Sequence, residues 1–365
     1  FASAPVASVD IPAYVQAVLQ EMSERAFLRS DQEVKSLFFG GGTPSLLPCA
    51  EIERLVHRAR QCSRWSAQAE ITLEANPESV QDVHQVRAWR SAGVNRVSLG
   101  VQSLDPEILR RLGRGHTPEQ AKRAMHLVHQ GGIAHCGVDL IWGVPGQDLR
   151  QWRQTVQEVL SWDLDHLSMY SLTLEADTPL AAAQKRGDLL WPEETLWTRM
   201  FYQAREAALQ AGFEHYEISN WAKPGGRCVH NSGIWQGHDY MGFGPAAVST
   251  LHGVRLENPS RLGPYLGWVH QGVPRASQET LSSKVLRQER IMLRMRMAQG
   301  LPLNPAGADR LLAASPFIRD LVQARLVDLD HRALRLTPQG MLVSNAVLAG
   351  LMQEEEVLLA PMDNT

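Results

Sequence analysis

The run Lys35-Ser-Leu-Phe-Phe-Gly40-Gly41-Gly42-Thr43-Pro44 decides the fold. Leu37, Phe38 and Phe39 follow one another without polar alternation, the pattern of a strand buried on both faces in a parallel sheet. Such strands carry ligands at their C-terminal ends. Three glycines there permit φ > 0 and put no Cβ between the backbone and a ligand. Thr43-Pro44 then closes the loop rigidly. No Gly-Lys-Ser/Thr comes after it, so this is not a Walker loop. Taken alone, the stretch serves either a ligand or a tight strand-to-helix turn.

On either side the pattern repeats. Ile11 to about Leu28 reads as an opening helix, with apolar Tyr14, Val15, Val18, Leu19 and Met22. Ile52, Leu55, Val56 and Ala59 mark a helix, Ala69 to Glu74 a strand, and Val80, Val83, Val86 and Trp89 another helix. Further strands are Asn95 to Val101, Gly137 to Trp142, His166 to Thr173 and His215 to Ile218. Alternation at this pitch predicts βαβ units and a parallel sheet curled into a full or partial barrel. Thr117-Pro118-Glu-Gln120 supplies an N-cap, a proline at N1 and a capping-box residue, and Gly131-Gly132 stops the same helix.

Polar residues sit at telling places. Glu74, Gln102 and the Thr43 loop lie at or just past strand C-termini, and Asp139 lies inside an otherwise apolar strand. A charge in a buried strand is costly unless it is paired or bound to a ligand. Convergence of all of them on one barrel mouth predicts a binding site.

The totals bound the rest. At 365 residues the chain has room for one large domain and a smaller one. With 36 Lys+Arg against 39 Asp+Glu, the net charge of −3 gives no global attraction to nucleic acid or anionic membrane. No stretch approaches the roughly 20 apolar residues of a membrane span, and no signal-peptide pattern opens the chain, so a cytoplasmic location is expected. Cys49, Cys62, Cys136 and Cys228 are scattered without C-x-x-C spacing and read as free thiols.

Residues 256–283 are loose in composition, with Pro259, Pro264 and Pro274 and many Gly and Ser, and read as a linker between a barrel domain (1–255) and a small C-terminal domain (284–365). That domain reads as helices near 284–299, 306–313 and 316–325, a hairpin over Leu326 to Leu336, and a last helix capped by Thr337-Pro338. This is the winged-helix order. Lys284, Arg287, Arg290, Arg294 and Arg296 are read as a solvated or substrate-facing side, with no nucleic-acid partner.

Five ordered motifs then carry a resemblance. They are Gly40-Gly-Gly-Thr-Pro44, Glu74-Ala-Asn-Pro77, Arg96-Val-Ser-Leu-Gly-Val-Gln102, Asp139-Leu-Ile-Trp-Gly-Val-Pro-Gly-Gln147 and Tyr170-Ser-Leu-Thr-Leu-Glu175. Along nearly its whole length the chain resembles the radical S-adenosylmethionine proteins of the oxygen-independent coproporphyrinogen III oxidase type. Glu217-Ile-Ser-Asn-Trp-Ala-Lys-Pro224, Cys228-Val-His-Asn-Ser-Gly-Ile-Trp235 and Gly242-Phe-Gly-Pro245 look like the haem-chaperone (HemW) branch. That branch's hallmark is His-Asn-x-x-Tyr-Trp; here Ile234 replaces the tyrosine, and Val248 stands where relatives usually carry a histidine.

The resemblance implies a partial (β/α)6 barrel lacking its first strand, with a winged-helix-like C-terminal domain. It implies that Gly41, Gly42 and Thr43 meet the methionyl amino group of S-adenosylmethionine and that Glu74 and Arg114 meet its charged end or ribose. Gln102 and Asp139 would take hydroxyls, and Thr173 would touch a second S-adenosylmethionine. His230 is the haem candidate. Family members hold a [4Fe–4S] cluster on Cys-x-x-x-Cys-x-x-Cys, and Phe1-Ala2-Ser3 resembles the residues immediately after the last of those cysteines. The cluster ligands are therefore expected upstream of Phe1, with no metal site in the chain as written. A haem chaperone serving an unidentified acceptor protein is the expected function. The alternatives are an oxidase converting coproporphyrinogen III propionates to vinyl groups, and a cofactor-free barrel using Gly40 to Gly42 for phosphate.

Overall fold

The structure, a computed structural model, describes residues 9–25, 33–174, 178–187, 189, 191–273, 278–304 and 307–359. Phe1 to Ser3, the expected end of the opening helix beyond Arg25, and Glu175 of the fifth motif lie outside the described residues.

Helix α1 (Ile11–Glu24) is followed by β1 (Val34–Phe39), α2 (Cys49–Cys62), β2 (Trp65–Ala75), α3 (Val83–Ser91) and β3 (Arg96–Gln102). Then come α4 (Pro106–Arg111), α5 (Pro118–Gln130), β4 (His135–Trp142), α6 (Leu149–Leu160) and β5 (His166–Ser171). The sheet runs β1-β2-β3-β4-β5, every neighbouring pair parallel. Thr117 and Asp148 cap α5 and α6 with full capping boxes through Gln120 and Gln151, as the α5 sequence predicts. The connections cover the convex side of the sheet, where Leu73, Val97, Leu99, Val138, Leu140 and Leu167 pack beneath Ile52, Trp89, Ala124, Trp152 and Val156. The concave side is left as the wall of a half-barrel.

Beyond β5, helices α7 (Pro179–Lys185) and α8 (Glu194–Gln210) lead to a hairpin of β6 (Glu214–His215) and β7 (Asn220–Ala222). Of the strand expected over His215 to Ile218, only His215 is in a strand, and Tyr216 to Ile218 fall in the connection between β6 and β7. The two short strands join the sheet through β7, antiparallel to β5. Helix α9 (Val229–Trp235) then packs on β1, at the far edge of the same sheet.

Residues 256–283 differ from the linker expectation. Strands β8 (Val248–Leu251), β9 (Val254–Glu257) and β10 (Gln278–Thr280) form an antiparallel sheet, and α10 (Leu262–His270) packs on α1. Tyr265 and Val269 are fully buried there against Val15 and Val18. Pro259 stands before α10 and Pro264 in its first turn, while Pro274 lies outside the described residues. Glu21 explains the order: its buried carboxylate accepts from Tyr265 Oη (2.8 Å), Asn258 Nδ2 (2.8 Å), the Gly244 N–H (2.9 Å) and Arg25 Nη1 (2.8 Å).

The C-terminal part contains α11 (Ser283–Arg296), β11 (Leu301–Pro302), α12 (Gly307–Ala314), α13 (Pro316–Gln323), β12 (Val327–Leu329), β13 (Ala333–Leu336), α14 (Pro338–Leu342), α15 (Ser344–Gln353) and α16 (Glu355–Leu358). A sheet ordered β11-β13-β12 beside these helices keeps the winged-helix order, around its own core of Ile291, Met295, Leu311, Ile318, Leu334 and Leu351.

Candidate functional site

Strand periodicity builds the site. Side chains alternate between faces, so if Val97 and Leu99 face the helices, Arg96 and Ser98 face the hollow. Register aligns the inward rows across strands: Ser36 with Glu70, Glu74 with Ser98, Ser98 with Gly137, and Asp139 with Ser168. The resulting cavity, about 230 Å³, is lined by Phe38, Thr72, Glu74, Arg96, Ser98, Asp139, His166, Ser168, Tyr170, Cys228, His230 and Asn231, among others. A larger hollow of about 700 Å³ lies on the outer surface against α5 and α6, where Lys122 and Glu158 pair. It contains none of the predicted site residues.

At the mouth, Glu74 accepts a hydrogen bond from the Gly41 N–H (3.2 Å). Gly41 and Gly42 have φ of 77° and 63°, and a Cβ on either would meet nothing within 4 Å, so their backbone is open to a ligand. The Thr43 hydroxyl accepts from Asn76 Nδ2 (3.0 Å), tying the glycine loop to the end of β2. Gln102 ends β3 with φ of 65°, an uncommon left-handed conformation for a residue with a side chain. Asp139 accepts from Ser98 Oγ at 3.0 and 3.1 Å. Burial raises the Asp139 carboxyl above its ordinary range, against hydrogen bonds from Ser168 and Ser98 and the field of Arg114. Burial, then the charge of Asp139, pushes Glu74 up to about 7.

Arg114 lies just past α4, and no ion pair is formed by it among the described residues. Its charge acts on both Asp139 and Glu78. Thr173 is exposed beyond the end of β5 and does not line the cavity. Glu74 and Asp139 line the cavity, Gly41 is hydrogen-bonded to Glu74 and Thr43 to Asn76 at the end of β2. Gln102 ends the neighbouring β3, Arg114 acts on Asp139 by its charge, and Thr173 lies apart.

His230 lies in the same cavity. Its ring stacks on Phe38 (centroids 4.7 Å apart), and Nδ1 is 3.2 Å from Ser36 Oγ. No described residue hydrogen-bonds Nε2. Burial lowers the His230 pKa, partly offset by Glu70. That leaves a neutral imidazole with one oriented nitrogen and one free nitrogen, the arrangement of metal-ligating histidines. The cavity is smaller than the roughly 300–1,000 Å³ typical of pockets that enclose a small molecule. Ile234 and Val248 fall on α9 and at the start of β8.

Two inward residues escape a reading of the sequence alone. Glu70 and Arg96 form a buried pair (2.8 Å) beneath the mouth. A signal for them exists: Glu70 and Glu74 are spaced to share one face of a strand, and Arg96 and Ser98 continue that face on the next.

Comparison with known proteins matches two regions of the chain. The Radical SAM superfamily model matches residues 10–159, and the HemN C-terminal domain model residues 281–343. Heme chaperone HemW of Mycobacterium tuberculosis is 33% identical over 353 residues, covering 96% of this chain and 89% of that protein. Heme chaperone HemW of Escherichia coli is 39% identical over 234 residues, 64% of this chain and 61% of that protein. Coproporphyrinogen III oxidase (HemN) from Escherichia coli, a radical SAM enzyme, superposes with a TM-score of 0.78 at 23% identity, over 93% of this chain and 82% of that one, a likeness of fold.

The radical SAM family implies S-adenosylmethionine and a [4Fe–4S] cluster. The open glycine backbone and the mouth carboxyls fit the first. The cysteines do not fit the second: Cys136 and Cys228 are buried with thiols pushed up to about 12, Cys49 and Cys62 lie at the two ends of α2, and among the described residues no three metal-ligating side chains converge. No described helix is long and apolar enough to cross a membrane. With whole-length similarity and both family regions in order, this chain belongs to the HemW haem-chaperone family of the radical SAM superfamily.

Proposed function

We propose that the chain is a haem chaperone that binds S-adenosylmethionine at its barrel mouth, contacts haem through the α9 segment and passes haem to an acceptor protein. The observation carrying this reading is the similarity to Heme chaperone HemW along 96% of the chain. S-adenosylmethionine presents an amino group, a carboxylate and ribose hydroxyls. Backbone carbonyls of Gly41 and Gly42 and the Thr43 hydroxyl would meet the amino group, and Arg114 the carboxylate. Glu74, Asp139 and Gln102 would take the ribose or remaining donors. Thr173, outside the cavity, could serve only a second S-adenosylmethionine approaching from the loop side.

At the haem, His230 Nε2 would face the iron while Ser36 and Phe38 hold the ring. Haem titration of the intact protein, followed by its Soret band, tests the reading together with an anaerobic assay using coproporphyrinogen III, reductant and S-adenosylmethionine. Saturable haem binding with no protoporphyrinogen is expected. Conversion of coproporphyrinogen III would assign the oxidase activity instead.

A further inference from the structure

Helix α9 enters the half-barrel at its N-terminal end, and one carboxylate holds it there. Glu70 accepts from the backbone N–H of Val229 (3.0 Å) and of His230 (3.0 Å), from the Cys228 thiol (3.3 Å) and from Arg96 Nε (2.8 Å). Arg96 Nη2 continues the contact to the carbonyls of Gly226 (3.0 Å) and Arg227 (3.3 Å). Both side chains are about 95% buried. The approach is close enough that Gly226 has no room for a side chain: a Cβ there would lie 2.4 Å from the Asp165 carbonyl oxygen.

A buried ion pair is weak evidence for a stability role, since a well-packed apolar pair does as well. What an apolar pair could not do is accept two backbone N–H groups at the first turn of α9 while donating to the two carbonyls before it. We infer that Glu70 and Arg96 are positioning residues that fix the first turn of α9 inside the barrel, and with it the imidazole of His230 against Phe38 and Ser36, below the Glu74–Asp139 mouth. This places the haem-contacting segment and the S-adenosylmethionine residues Glu74 and Asp139 in one cavity. The inference rests on the reading of His230 as the haem contact.

Two measurements on the intact protein test it. The first ignores haem. In the unaltered protein Cys228 and Cys136 are buried with thiols high in pKa, and both should resist N-ethylmaleimide. In Glu70→Gln, mass spectrometry should find Cys228 labelled at least tenfold faster with Cys136 as protected as before, and the Val229 and His230 amides exchanging with deuterium at least tenfold faster, a change that loss of Glu70's own effect on the thiol does not produce. Arg96→Lys keeps the charge but loses the forked contact to Gly226 and Arg227, and should give a smaller acceleration in the same direction, which keeps the test available if Glu70→Gln folds poorly. Equal protection of Cys228 in all three proteins overturns the inference.

The second is a double-mutant cycle on haem binding. Glu70→Gln should reproduce the Soret shift of His230→Ala and add nothing in the His230→Ala background. Independent, multiplying effects would overturn the positioning role. If His230→Ala alone leaves haem binding unchanged, the haem reading of that residue fails while Cys228 labelling still decides whether Glu70 holds α9.

Discussion

The two faces of strands β2 to β5 differ completely although their residues are adjacent in sequence. On β3, Leu99 and Val101 are buried in the core beneath the helices, while Arg96 and Ser98 line the cavity. On β5, Leu167 and Met169 lie in the core, and His166, Ser168 and Tyr170 face the hollow. The convex face is an apolar packing surface, interchangeable in principle with many others of the same volume. The concave face is an ordered set of donors and acceptors. Stability and binding are therefore written on alternate residues of the same strands, and single substitutions should separate them.

Arg96 is the largest expected exception. It lies on the concave face, yet Arg96→Met should destabilise by about 3–5 kcal/mol, the cost of stranding the Glu70 carboxylate in a buried place. Urea unfolding checks this, and a loss under about 1 kcal/mol would show that water reaches Glu70. Next, Leu99→Ala on the convex face should cost about 2–5 kcal/mol, since its side chain is fully buried. Its neighbour Ser98→Ala should cost under about 1.5 kcal/mol, the net worth of one hydrogen bond, because Asp139 keeps its bond from Ser168. Comparable losses for the two would break the division between faces.

Binding should show the reverse ranking. Glu74→Ala or Asp139→Ala should weaken S-adenosylmethionine binding by roughly 1.5–3 kcal/mol, the loss of a charged hydrogen bond, by isothermal titration. Leu99→Val should leave that affinity within about threefold. Unchanged affinity in both carboxylate variants would make those groups structural.

Much of this is legible in the sequence, and for a physical reason. Three glycines after a strand and a lone Asp139 inside one are local violations of packing rules, so Gly41, Gly42, Glu74, Gln102 and Asp139 stand out, and of these Glu74 and Asp139 line one cavity with Gly41 hydrogen-bonded to Glu74. Glu70 and Arg96 violate the same rules but compensate each other, and such a pair becomes visible only when β2 and β3 are laid side by side. The strand expected to reach Thr173 and the linker expected over α10 fail in opposite ways. Thr173 continues a strand-like stretch but lies past the point where β5 stops, whereas α10 looks like linker because its order comes from Glu21, more than 200 residues away in sequence. His230 is legible from its motif, but its place in the same cavity as Glu74 depends on α9 reaching the far edge of the sheet.

The smallest expected effect concerns pH and tests whether the mouth carboxyls are a matched pair. Glu74 titrates near 7 in the folded chain because burial and the neighbouring Asp139 disfavour its charge, whereas an unfolded glutamate titrates near 4.3. Between those values the native state holds a proton that the unfolded state has lost, so this group's contribution to stability is full below about pH 4, declines as pH rises, and levels off above about 7. Ligand binding has the opposite sign. A ligand that donates hydrogen bonds to ionised Glu74 must displace its proton below pH 7, so S-adenosylmethionine affinity should rise about tenfold, ~1.4 kcal/mol, between pH 6 and pH 8 and then flatten. Titration calorimetry at pH 6 in buffers of different ionisation enthalpy should detect close to one proton released per ligand, falling toward zero at pH 8. Glu74→Gln should remove both the slope and the proton release. Asp139→Asn should retain them with a midpoint moved to lower pH, because the like charge that helps raise Glu74 is gone. A pH profile unaltered in Glu74→Gln would mean that another group governs the mouth, and the concave face would then need a different account of its charge.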